Sequence, residues 1–86
     1  MKIYAISILG FAAGFCTTGA LLPQVLKTIK TRKTRDISLG YYVFLVVGLV
    51  LWISYGILLK EAPIIVANVI ALVFAGIILE YKIKYG

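Results

Sequence analysis

The sequence predicts an all-α membrane protein of three transmembrane helices, and three observations carry that reading. First, 63% of the 86 residues are hydrophobic. A soluble domain this small buries only about 60% of its unfolded surface, too little to hide so much apolar area. Second, charge is absent over 24 residues from Ile3 to Leu26, over 23 from Ile37 to Leu59 and over 18 from Ala62 to Leu79. About 20 apolar residues span a hydrocarbon core of roughly 30 Å. Third, five of the nine basic residues crowd between Lys27 and Arg35, where one span ends and the next has not begun. The spans are placed at 3–26, 37–59 and 62–81, with Tyr81 carrying the third into the interface. A basic loop covers 27–36, and the whole chain, 1–86, forms one unit without an internal repeat.

The first span closes on Leu21-Leu22-Pro23-Gln24-Val25-Leu26. Proline lacks a backbone donor and clashes with the preceding turn. Inside a bilayer this kinks a helix rather than ending it, because neighbours can satisfy the freed carbonyl. Pro23, with the amide of Gln24 beside it, is therefore the predicted hinge. A signal peptide has its positive charge before a shorter apolar core; here only Lys2 precedes the run, so it is read as a mature helix. Cys16 stands alone in apolar surroundings and is read as a small buried residue. Phe15 is too bulky for a lipoprotein cleavage site before it. Gly10 and Gly14 form a GxxxG pattern, which permits close helix packing without naming the partner. Thr17 and Thr18 can bond back to their own helix, or line a path.

The first loop follows. Its polar and β-branched residues are expected on the surface. With Lys82 and Lys84 of the tail it makes seven basic residues on one side of the membrane, against Lys2 and Lys60 on the other. The excess of positive charge in cytoplasmic loops places this loop and the C-terminus in the cytoplasm, at the cell's inner membrane, with the N-terminus outside. Tyr41, Tyr42, Tyr81 and Tyr85 then lie near the cytoplasmic interface. A nucleic-acid binder presents its basic face on a folded soluble body. A basic loop between two greasy spans does not, so nucleic acid is excluded as a partner.

The second and third spans form a hairpin with only Lys60 and Glu61 between them, and Pro63 suits the first turn of a helix. Trp52 lies seven residues before the end of the second span and Asn68 six after the start of the third. At the rise of an α-helix both sit about 9–10 Å below the same membrane surface. An indole can lie against the C–H face of a sugar, and an amide can donate to and accept from its hydroxyls. The structural alternatives are an interfacial anchor for Trp52 and an interhelix hydrogen bond for Asn68. Tyr55 is one turn from Trp52 on the same face and can cover a site there.

The remaining chemistry is defined by what is missing. There is no histidine, and Asp36, Glu61 and Glu80 all stand at span ends. Acid–base and nucleophilic catalysis need such groups gathered in a pocket. No enzyme, metal site or cofactor is expected. No ionisable side chain lies within a span, whereas proton-coupled carriers embed one. The expected cargo is a neutral solute moving passively.

Taken together, Pro23-Gln24, the basic loop, the run Thr34-Arg35-Asp36-Ile37-Ser38-Leu39, then Trp52 and Asn68 resemble the PQ-loop superfamily, and within it the bacterial SemiSWEET sugar transporters. The resemblance covers essentially the whole chain. It implies a half-transporter unit, paired as a parallel homodimer, that moves mono- or disaccharides by facilitated diffusion and alternating access. It assigns sugar binding to Trp52 and Asn68, the hinge to Pro23 with Gln24, and the outer gate to Tyr55. Two positions depart from the family pattern. Leu59 stands where an outer-gate arginine is expected, leaving Lys60 and Glu61 as the charged gate candidates. Leu39 follows Ser38 where the inner gate often has methionine, and keeps a hydrophobic plug. The expected function is passive transport of a glucose- or sucrose-like sugar. The alternatives are a membrane assembly subunit, in which Trp52 and Asn68 are only structural, and a channel subunit.

Overall fold

A computed structural model of the chain describes residues 2–86, with side chains described from residue 5 onward. The side chain of Lys2, counted above in the charge balance, lies outside the described residues. Four helices follow one another: α1 (Lys2–Gly19), α2 (Leu22–Thr31), α3 (Leu39–Leu59) and α4 (Ala62–Tyr85). Three stretches are long and apolar enough to cross a membrane: Ala5–Thr31, which joins α1 and α2, Leu39–Leu59 and Ala62–Tyr85.

The three spans do not pack in chain order. α4 lies in the middle, with α1 and α2 on one flank and α3 on the other; among the described residues α1 and α3 do not touch. Ala75 and Ile78 of α4 are accordingly fully buried. The body measures 48 × 22 × 14 Å along its principal axes. Helices with their side chains are about 10–12 Å across, so this is a single layer. Its core is thin: Val25, Tyr42, Leu49, Ala71, Ala75 and Ile78 are buried, while Phe15, Phe44 and Leu58 stand about four-fifths exposed. In a bilayer such exposure costs nothing, because lipid tails are as apolar as leucine.

Small residues set the close contacts. A Cβ added at Gly10 would stand 3.0 Å from Cβ of Pro63, and one at Gly14 would overlap the Cβ of Ala67. The GxxxG face of α1 thus meets the Pro63–Ala67 face of α4 in the same chain. At the hairpin, Gly56 faces Ile64, whose Cγ2 would be 2.9 Å from an added Cβ. α3 ends with Lys60 in the left-handed region (φ 57°), and the Glu61 N–H reaches back to the carbonyl of Gly56 at 2.9 Å. The chain reverses in those two residues, and Pro63 starts α4 without the loss of a helical donor.

Three boundaries differ from the sequence reading. The basic segment 27–36 is not all loop: α2 continues through Thr31, where Arg32 closes it in the left-handed region (φ 56°) with its N–H on the Thr28 carbonyl. Nor does the segment lie wholly on the surface. Thr28 is 1% and Thr34 only 2% exposed. The physical reason is helical periodicity. Lys27 and Lys30 take the exposed side of α2, while Val25 and Thr28 face inward, making an amphipathic helix out of a stretch whose charge density reads as loop. The Thr34 carbonyl then accepts a hydrogen bond from Lys82 Nζ at 3.0 Å, tying the loop to the end of α4. The third span also runs past 81, with α4 continuing to Tyr85. The second helix begins at Leu39, where the Ser38 hydroxyl caps it by accepting from the Tyr41 N–H at 3.1 Å.

Candidate functional site

Because α1 and α3 flank α4 without meeting, a groove runs along α4 between them. It has an open volume of about 760 Å³ and is lined by residues between Gly10 and Leu21 of the first span, between Tyr41 and Trp52 of α3 and between Pro63 and Ala71 of α4. The walls are mostly apolar. The polar groups on them are Thr17, Thr18, Tyr41, Trp52 and Asn68.

Trp52 and Asn68 share this groove, as their depth in the hairpin suggests. Trp52 is 53% exposed within one chain. Tyr55 meets it edge to face, with ring centroids 5.5 Å apart and planes at 86°. That contact fixes the tilt of the indole and sets Tyr55 on the side nearer the hairpin turn. Asn68 donates one N–H from Nδ2 to the carbonyl of Ile64, one turn back, at 2.7 Å. The bond orients the amide and leaves its second N–H and its Oδ1 for another partner. Asn68 makes no hydrogen bond across helices among the described residues. The interhelix bond is made by Thr18, whose hydroxyl donates to the carbonyl of Ala67 at 3.0 Å. Thr17 bonds back within its helix, to the Gly14 carbonyl at 3.2 Å.

The hinge candidates lie outside the groove. The helix breaks at Ala20–Leu21, and Pro23 occupies the first turn of α2. Proline has no N–H to return to the carbonyl of Gly19, so the ladder is cut at that point. Leu21 donates instead to the Thr18 carbonyl at 3.0 Å, a tighter turn. Beyond the break, the Gln24 carbonyl accepts from the Thr28 hydroxyl at 2.7 Å. Leu21, a residue of the break itself, does line the groove. Lys60 and Glu61 form the turn at one end and are exposed, and Leu39 is exposed at the first turn of α3 at the other. None of Leu39, Lys60 and Glu61 lines the groove within one chain.

Sequence reasoning did not single out Tyr41 or Gly48 as wall residues. Their signal was available: Tyr41, Leu45, Gly48, Trp52 and Tyr55 recur at the spacing of one helical face. Among the described residues no group of His, Cys, Asp and Glu is placed to hold a metal ion.

Known proteins share this fold. The PQ-loop repeat family matches residues 5–65. A protein of Bradyrhizobium diazoefficiens described as sugar transporter SemiSWEET is 48% identical over 86 residues, covering both chains completely. One of Leptospira biflexa with the same description is 49% identical over 80 residues, covering 93% of this chain and 94% of that one. Among solved structures, a bacterial homologue of SWEET transporters superposes with a TM-score of 0.89 at 45% identity, over 95% of this chain and 99% of that one. A SemiSWEET in the inward-open conformation gives 0.88 at 36% identity, over 98% and 88%. Three spans in one layer, a broken first helix carrying Pro23-Gln24, and likeness across the full length lead to one conclusion: the chain belongs to the PQ-loop family, as a member of its SemiSWEET group.

Proposed function

We propose that the chain is a passive carrier of a mono- or disaccharide, glucose- or sucrose-like, working as a parallel homodimer by alternating access. The observation that carries this reading is the groove: an exposed Trp52 on α3 and a half-used Asn68 amide on α4 line the same open site. A single layer 14 Å thick cannot enclose a solute. A second copy related by a two-fold axis along the membrane normal would close the groove and double the set of Trp52 and Asn68. The relatives described as sugar transporters supply the substrate class, and the inward-open structure supports alternating access.

In this mechanism the sugar enters past Tyr55 and the Lys60–Glu61 turn. Its C–H face rests on Trp52, and its hydroxyls exchange hydrogen bonds with the remaining N–H and Oδ1 of Asn68. Bending at Ala20–Leu21, where Pro23 has cut the ladder, then parts the ends near Leu39. The loop and tail with seven basic residues face the cytoplasm of the inner membrane. The charge-free runs 3–26, 37–59 and 62–79 support passive movement. The rival reading, in which Asn68 only joins helices, is disfavoured because Thr18 makes that bond.

Liposomes holding the purified protein test the proposal. They are expected to take up labelled glucose or sucrose down a gradient without electrical conductance, and Trp52→Ala or Asn68→Ala to abolish uptake. Uptake surviving both changes would remove these residues from the site; conductance would favour a channel.

A further inference from the structure

The seam between α1 and α4 has two sides. On one lies the groove of Trp52 and Asn68. On the other lies a second groove with an open volume of about 640 Å³, walled by Phe11, Phe15 and Leu22 from the broken first span and by Val66, Ile70 and Phe74 of α4. Gly14, Thr18 and Ala67 of the seam border both. Thr18 is the one polar side chain on the second wall among the described residues, and its hydroxyl is already bonded to the Ala67 carbonyl. A sugar would find no free hydrogen-bonding side chain there. A hydrocarbon chain needs none.

The groove has an open inner end. It runs from Ile8 to Leu22, about 21 Å at the helical rise, against roughly 15 Å for one leaflet's half of the hydrocarbon core. Gly19 lines it just before the helix break, and a Cβ built there meets nothing within 4 Å. Beyond the break the wall continues along α2. Leu22, Leu26 and Ile29 recur on one exposed face, and Lys30 stands beside that stripe, exposed, two turns past Leu22. An apolar trough therefore leads to a cation at the edge of the charge-free run. A lysine stem lies along apolar surface while its ammonium reaches the interface.

We propose that the second groove holds one acyl chain of an anionic phospholipid, drawn from the leaflet on the side of the basic segment, with its phosphate at Lys30. Two arguments select this occupant over a second copy of the chain. The layer pairs through its other side, which leaves this side facing lipid. The single charge at the mouth complements a phosphate, whereas an identical copy would bring a like charge to it. The inference rests on the pairing proposed above and not on the identity of the sugar. The bound chain lies across Ala20–Leu21, so the lipid touches the hinge from the side away from the solute.

The test uses the full chain, purified in detergent and titrated with phosphatidylglycerol or phosphatidylcholine of identical tails, with retained lipid counted by native mass spectrometry. Wild type is compared with Lys30→Gln, Lys84→Gln and Gly19→Leu. Gly19 does not have a positive φ, so its backbone accepts a side chain. Phosphatidylglycerol is expected to be retained over phosphatidylcholine. Lys30→Gln should cut that preference by about fivefold, the scale of one lysine at an anionic surface. Lys84→Gln, at the end of α4, should keep it. Gly19→Leu fills the groove and should lower retention of both lipids severalfold, with melting temperature and dimer fraction unchanged. Equal loss of preference in Lys30→Gln and Lys84→Gln would overturn the proposal and leave only attraction to the basic side. Retention unchanged in every variant would overturn it as ordinary solvation by lipid. A dimer that dissociates in Gly19→Leu, with the lipid preference of Lys30→Gln unaltered, would make the groove a contact between copies. A monomeric wild type would refute the pairing itself, and the lysine comparison would still decide the lipid site.

Discussion

Thr18 donates its hydroxyl to the main-chain carbonyl of Ala67 across 3.0 Å, immediately before Asn68. The bond joins α1 to the second turn of α4 and anchors the backbone from which the amide projects. Interhelix hydrogen bonds in membranes contribute about 0.6 kcal/mol on average and rarely more than about 1.7. Thr18→Val keeps the shape and removes the donor, so it is expected to lower stability by about 1 kcal/mol. Unfolding in detergent measures that loss. Since the variant also frees the Asn68 backbone, sugar affinity should weaken while Asn68 itself remains present.

Gly14 and Ala67 provide a reciprocal test of the same seam. Gly14→Ala sets two methyl groups in one place, which forces α1 off α4. Overpacking of this kind costs about 1–3 kcal/mol. Adding Ala67→Gly moves the vacancy to the other helix and should restore most of the loss. Melting temperatures of the two single variants and the double variant give the coupling directly.

Thr34 carries a hydroxyl that is buried and has no hydrogen-bond partner among the described residues. An unsatisfied buried polar group costs about 1–3 kcal/mol, and an apolar group of the same shape removes the cost. Thr34→Val is therefore expected to raise stability by about 1 kcal/mol, read from denaturant unfolding. The Lys82 bond to the Thr34 carbonyl does not depend on the side chain and should persist.

Pro23 leaves the Gly19 carbonyl without its helical partner. Pro23→Ala restores the donor, and α1 and α2 can then join into one continuous helix across Ala20–Leu21. Sugar uptake is expected to fall severalfold or more while dimer and fold persist. Liposome flux alongside circular dichroism distinguishes this from misfolding.

The three spans were legible in the sequence because runs without charge admit one physical reading in a chain this short. The Trp52–Tyr55 face was legible too, since three residues is a helical neighbour distance and the rings do meet. The packing order was not. A helix surrounded by lipid is apolar on every side and has no stripe to reveal its partner, so nothing in α4 marks it as central. Gly10 and Gly14 signalled a close approach but not that Pro63 and Ala67 complete it. In α2, charge density concealed periodicity. Lys27 and Lys30 read as loop, although Val25 and Thr28 lay one turn apart on a buried face. The groove wall from Tyr41 to Gly48 was present in the spacing, but glycine offers no chemistry to attract notice.

Trp52 is the sole tryptophan of the chain, so intrinsic fluorescence reports on the groove alone. Titrating the purified protein with glucose or sucrose is expected to change the emission of Trp52 saturably, and Asn68→Ala should abolish the change while the dimer stays intact. An emission spectrum indifferent to every sugar that crosses the liposome membrane would contradict the claim that the indole and the amide hold the solute.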